Sequence, residues 1–158
     1  MDRLSKTARS KNMAAIKSRD TKVELFVRKL IFNAGFRYRL YDKTLPGHPD
    51  LVLKKYRTVI FINGCFWHGH NGCKKAHLPE DNRDFWAKKI DSNRKRDKLV
   101  SSTLSESGFR VLIIWQCGCL KSKQVDLLNL IKSFLKGEET YREIGRRELE
   151  EYSQRKDG

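Results

Sequence analysis

Apolar positions recur along this chain with two periods, and the switches between them lay out the elements. From Asp20 to Gly35, Val23, Phe26, Val27, Leu30, Ile31 and Ala34 fall at i, i+3, i+4, i+7, i+8 and i+11, the single stripe of a helix buried on one side. Thr21 and Glu24 stand at capping-box spacing, and Gly35 stops the pattern. On local grounds Glu24 reads as a cap. Phe36 to Leu40 alternates and predicts an edge strand. Leu51 to Leu53 and Thr58 to Ile62 are short β-branched runs separated by Lys54-Lys55-Tyr56-Arg57, which predicts an antiparallel hairpin of buried strands.

Past Pro79, Asp81 reads as the N-cap of a long helix to about Ser107, with Phe85, Trp86, Ile90, Leu99, Val100, Thr103 and Leu104 as its stripe and Asn93 to Lys98 interrupting it. Phe109 to Trp115 is the strongest strand signal, continuous enough to be covered on both faces. Ser122 to Lys136 predicts an amphipathic helix ended by Gly137. Residues 138–158 are rich in charge and predict at best a surface helix. The result is an α/β chain in which the 58–62 strand, the long helix and the 109–115 strand form one β-α-β unit. Its two strands should therefore be parallel neighbours.

That topology bears on the cysteines. Cys65 and Cys117 each follow the end of one of these strands, so both belong at the same edge of the sheet. His70 and Cys73 are tethered to Cys65 as Cys-x4-His-x2-Cys. Four soft or borderline donors then converge as a closed tetrahedral zinc site requires, with Cys119 and His77 as the substitutes. Reduced structural cysteines or a disulfide are the alternatives. His68 lies inside the cluster but off the ligand spacing, which leaves it available to act with Asp50 at the entrance of the first hairpin strand. A carboxylate suits magnesium, and an imidazole suits taking a proton from water near neutral pH.

Charge narrows the partner. At 158 residues with a net charge of +15, the chain is expected to be one soluble, intracellular domain with no membrane span, attracted to a polyanion. Residues 1–40 hold 11 basic and 3 acidic residues, a net of +8, whereas 138–158 hold 5 basic and 7 acidic, a net of −2. The basic footprint is N-terminal. The expected division is a basic arm or helix laid on nucleic acid over 1–19, a main domain over 20–137 and a charged tail over 138–158.

Five blocks carry a resemblance: Ser10 to Met13, Pro46 to Asp50, Phe61 to His68 with its Gly-Cys-Phe-Trp-His string, Phe85-Trp86, and Val111 to Cys117. In order and spacing they resemble the very-short-patch mismatch repair (Vsr) DNA endonucleases, over roughly residues 5–136. The resemblance implies a restriction-endonuclease-like fold, a mixed sheet flanked by helices with a structural zinc loop. It also implies magnesium-dependent nicking of one strand of double-stranded DNA, just 5′ of the thymine of a T·G mismatch left by deamination of 5-methylcytosine.

By the same resemblance Asp50 and the main-chain carbonyl of Ile62 bind magnesium, His68 is the general base, and Glu24 and Asp97 are auxiliary acids. Cys65, His70, Cys73 and Cys117 bind zinc. Phe66, Trp67 and Trp86 form an aromatic wedge, and Met13, with Arg9, Lys11 and Asn12, belongs to the DNA-contacting arm. A monomer in the bacterial cytoplasm is implied, working with a repair polymerase and mismatch-repair proteins. Asn63 stands where the family often has a second active-site histidine, which implies weaker transition-state stabilisation. The loop between His70 and Cys73 is one residue longer than in the family member compared. A zinc-stapled DNA-binding module without catalysis and a restriction enzyme are the rival classes. Against the restriction enzyme, the second hairpin strand shows Phe61-Ile62-Asn63 where a carboxylate-x-lysine pair is usual.

Overall fold

The computed structural model describes residues 20–158. Arg9, Lys11, Asn12 and Met13, and with them the expected arm over 1–19, lie outside the described residues. The elements described run α1 (Lys22–Asn33), β1 (Arg39–Leu40), β2 (Leu51–Leu53), β3 (Thr58–Asn63), α2 (Arg83–Glu106), β4 (Arg110–Trp115), α3 (Gln124–Lys136), β5 (Tyr141–Ile144) and α4 (Arg146–Asp157).

The five strands form one mixed sheet in the order β1-β2-β3-β4-β5. β1, β2 and β3 pair antiparallel, while β3 with β4 and β4 with β5 pair parallel. The hairpin turns through a short 3-10 segment, and Arg57 takes a left-handed conformation at its end. That strained residue is held in place: its carbonyl accepts from Arg110 N–H at 2.7 Å and its Nε donates to Gly108 O at 3.1 Å. β4 lies between two parallel neighbours and is buried along Val111 to Trp115, as its unbroken apolar run predicts.

Alternation along the strands divides the core between the two faces. Leu51, Leu53, Ile60, Leu112 and Ile114 pack with Val27 and Ile31 of α1, Leu127, Ile131 and Phe134 of α3 and Leu149 of α4. Val52, Val59, Val111, Ile113 and Trp115 form the other face, covered by Leu104 and Val100 of α2. One long helix thus backs the second face while three pack on the first. This mixed five-stranded sheet flanked by helices is the restriction-endonuclease-like architecture expected.

Three local expectations are corrected. Asn82, not Asp81, precedes α2; it is left-handed and makes no side-chain cap bond. Leu99, placed in the buried stripe, is 68% exposed, because in that stretch the apolar side chains of α2 that pack on the sheet are Val100 and Leu104. The charged segment 138–158 contributes β5, which pairs with β4 from Val111↔Tyr141 to Ile114↔Ile144. Four residues with a single fully buried apolar side chain, Ile144, carry too little periodicity to announce a strand.

Candidate active site and metal centre

The capping box at the start of α1 does more than end a helix. Thr21 Oγ1 accepts from Glu24 N–H at 3.2 Å, and Glu24 Oε2 accepts from Asp20 N–H at 2.9 Å. The Glu24 carboxylate is buried and also takes hydrogen bonds from Arg28 Nη2 at 3.1 Å and from the Tyr41 hydroxyl at 2.7 Å. Arg28, one turn on, bridges to Asp20 at 2.9 Å. Burial and the neighbouring carboxylate raise the Tyr41 hydroxyl to about 12, so it stays a donor.

This cluster forms one wall of a trough of about 400 Å³, also lined by Lys43, His48, Asp50, Ile62, Asn63 and His68. Asp50 is brought there by the turn that feeds β2, and its Oδ2 accepts from Ile62 N–H at 2.7 Å. Desolvation raises the Asp50 carboxyl to about 6, against the opposing pull of that N–H bond. Among the expected site residues, Glu24, Asp50, Ile62, Asn63 and His68 therefore share one trough. The Asp50 carboxylate, facing a groove of this size beside other oxygen donors, fits a hard divalent cation.

His68 comes from the loop after β3. Its Nδ1 lies 2.6 Å from Asp97 Oδ2 on α2, so the pair joins the trough to the long helix. The loop is fastened to α2 elsewhere too. Asn93 Nδ2 donates to Trp67 O at 2.9 Å and Arg94 Nε donates to Gly69 O at 2.7 Å. Gly69 has φ +61°, and a Cβ there would fall 2.5 Å from Ile90, so only glycine fits this close approach. The rings follow from the same fastening. Phe66, Trp67 and Trp86 are mutually in contact at centroid distances of 5.5–5.7 Å, all half-buried, and Phe85 beside them is 59% exposed.

Cys65, His70, Cys73 and Cys117 bring one ligand atom each within 4.8 Å of one another, with Cys117 Sγ 3.5 Å from His70 Nδ1. Cys65 and Cys117 sit at adjacent ends of β3 and β4, as their parallel pairing requires, and Cys117 N–H points at Cys65 Sγ at 3.4 Å. A tetrahedral zinc site with bonds near 2.0–2.3 Å sets its donors roughly 3.3–3.8 Å apart. Three thiols and an imidazole, two of the thiols buried, fit it. The Cys65 thiol donates toward Cys117 and is itself pushed up, while that bond holds Cys117 down. Cys119 and His77 lie outside the cluster: Cys119 Sγ faces Trp115 O at 3.7 Å.

Several residues around these sites carried no sequence signal. Arg28 is readable only as an i+4 partner of Glu24, and Tyr41 and Lys43 sit in a loop without periodicity. Trp115 stacks on His70 at 4.1 Å and 5° and donates to Glu143 at 2.8 Å, a contact that depends on the unforeseen strand β5.

Comparison with known proteins gives one answer. The family model described as DNA mismatch endonuclease Vsr matches residues 1–75. The type II nicking enzyme V.NmeAIP of Neisseria meningitidis serogroup A is 48% identical over 124 residues, 78% of this chain and 87% of the relative. DNA mismatch endonuclease Vsr of Escherichia coli K12 is 46% identical over 112 residues, 71% of each chain. The type II nicking enzyme V.XorIIP of Xanthomonas oryzae pv. oryzae is 41% identical over 133 residues, 81% of this chain and 97% of the relative.

Proposed function

The chain belongs to the Vsr family of DNA mismatch endonucleases, and from that premise we propose that it nicks one strand of duplex DNA 5′ of the thymine of a T·G mismatch, with magnesium at Asp50 and zinc in the Cys/His cluster. The observation that carries this reading is the shared trough of Asp50 and His68, with His68 Nδ1 held by Asp97 at 2.6 Å.

Asp97 accepts from Nδ1–H and so leaves Nε2 as the nitrogen that takes the proton from an attacking water. Asp97 also stabilises the imidazolium that results. Asp50 and the main-chain carbonyl of Ile62 would hold magnesium. Once bound, that ion supplies charge neutralisation at the scissile phosphate and a more acidic water. Glu24, fixed by Arg28 and Tyr41, is the auxiliary acid beside them, and Asn63 offers an amide to the phosphate oxygens. The zinc loop has no core of its own, and its metal would fix the backbone that carries His68.

Phe66, Trp67 and Trp86 form the wedge. Unstacking a base step costs a few kcal/mol and least at a mispair, so half-buried rings on a fastened loop favour the damaged site. Residues 1–19, with Arg9, Lys11, Asn12 and Met13, are the basic arm that contacts DNA outside the wedge. The setting proposed is a monomer in the bacterial cytoplasm, followed by a repair polymerase and mismatch-repair proteins.

Strand-resolved nicking of T·G and T·A duplexes in magnesium tests the reading. The T·G duplex should be cut in its T strand alone. Asp50→Ala and His68→Ala should each abolish nicking without changing zinc content. Equal cutting of the matched duplex would sink the mismatch specificity.

A further inference from the structure

The C-terminal segment approaches the Cys/His cluster more closely than pairing with β4 alone would require. Gly145, between β5 and α4, lies over the metal ligands: a Cβ at this position would stand 2.9 Å from His70 Cε1 and 3.2 Å from Cys117 Sγ. Its backbone is extended, at φ −131° and ψ −167°, so glycine is needed here for space and not for conformation. The next residue opens α4, and its N–H makes no bond inside the helix. It donates instead to Cys117 Sγ at 3.3 Å. On the other side of the ligands, Glu143 of β5 accepts from Trp115 Nε1, and the Trp115 ring stacks face to face on His70. Two of the four ligands thus lie against Gly145 and the first residue of α4, and β5 reaches His70 through Trp115.

We propose that β5, Gly145 and the start of α4 form a strap on the metal centre, in which the Arg146 N–H holds the Cys117 sulfur and Glu143 holds the His70 ring through Trp115. This rests on the zinc reading above. A thiolate bound to a metal keeps negative charge, and a hydrogen bond to it is charge-assisted. Groups behind the ligands commonly set metal affinity by a factor of ten to a hundred. Linkage makes the effect reciprocal: if the docked strap raises zinc affinity, bound zinc holds the strap down. Because His68 rides on the loop that this centre fixes, the acidic C-terminal segment becomes a positioning device for an imidazole more than seventy residues earlier in the chain.

The position allows a selective test. Proline is tolerated at the first residue of a helix, and an extended Gly145 suits the residue before it. Arg146→Pro therefore removes the one N–H that Cys117 receives from α4. Arg146→Ala keeps that N–H and loses only the exposed ion pair with Glu150. In zinc-loaded full-length protein, competition with a chelator should show Arg146→Pro binding zinc roughly tenfold or more weaker than Arg146→Ala, which should match the unaltered chain. Amide exchange on the unaltered protein supplies a second readout. Stripping zinc should speed exchange over 141–149 and leave 124–136 unchanged, and this measurement decides the matter if Arg146→Pro does not fold. Equal zinc affinities of the two variants, or exchange over 141–149 indifferent to zinc, would overturn the strap. A protein that binds no zinc at all would overturn the metal reading beneath it.

Discussion

Asp50 sits among groups that pull its proton affinity in opposite directions. Removal from water raises its carboxyl to about 6, Glu24 adds to the rise, and the Ile62 N–H and the His68 ring oppose it. The sign matters for activity. A group with a raised folded pKa is protonated over a wider range, so the ligand for a cation is lost as pH falls through about 6. Single-turnover nicking should fall in that window, and more magnesium should move the midpoint to lower pH by competing with the proton. A midpoint indifferent to magnesium would remove Asp50 from metal binding. The rings belong to the same scale. Trp67 contacts Phe66 and Trp86 at 5.5 and 5.7 Å, and a base stacked on such a platform is worth about 1–3 kcal/mol. Trp67→Ala should weaken binding to a T·G duplex by that amount, and matched DNA by much less. Fluorescence anisotropy on the two duplexes would read the difference, and equal losses would mean the ring is not a wedge.

The elements are joined at their ends by polar contacts that have their own pH dependence. Asp126, in the first turn of α3, is only 7% exposed; its carboxylate accepts from Ser153 at 2.8 Å and from Lys156 at 3.2 Å, both on α4. Those bonds hold Asp126 below the usual carboxylate range, and the same pair raises Lys156. The carboxylate contribution is fully present above the unfolded value near 3.9 and is lost as pH falls through the lowered folded value. The lysine contribution is present below its unfolded value and lost as pH rises through the raised one. Urea midpoints should therefore drop between pH 7 and pH 3 by more in the unaltered protein than in Asp126→Asn. An equal drop would mean that α4 is not held to α3 by this pair. Burial also explains why 138–158 predicts at best a surface helix: most of its charged residues are exposed, and only Ile144, Gly145 and Leu149 are buried, while Glu143 reaches Trp115 and Lys156 reaches α3.

Across the whole molecule the net charge of +15 exceeds anything the trough itself requires. Its consequence is long-range. If six or more phosphates are neutralised, affinity for duplex DNA should fall on the order of a thousandfold or more between 50 and 200 mM salt, for matched and mismatched sequences alike. A shallow salt slope in a titration would confine the charge to solubility. Much of this protein was legible in its pattern, because periodicity, caps and turns act over a few residues: α1, the hairpin, the long helix and the buried β4 all follow from spacing that neighbours enforce. The parallel pairing of β3 and β4 followed too, and with it the meeting of Cys65, His70, Cys73 and Cys117. Three things only the tertiary structure decided. Asp97 meets His68 across 29 positions of sequence, since the pitch and placement of α2 over the sheet, and no local rule, bring them face to face. Tyr41 reaches Glu24 from a loop without periodicity. β5 exists because β4 offers an open edge, and a four-residue strand has too little of its own pattern to form without one.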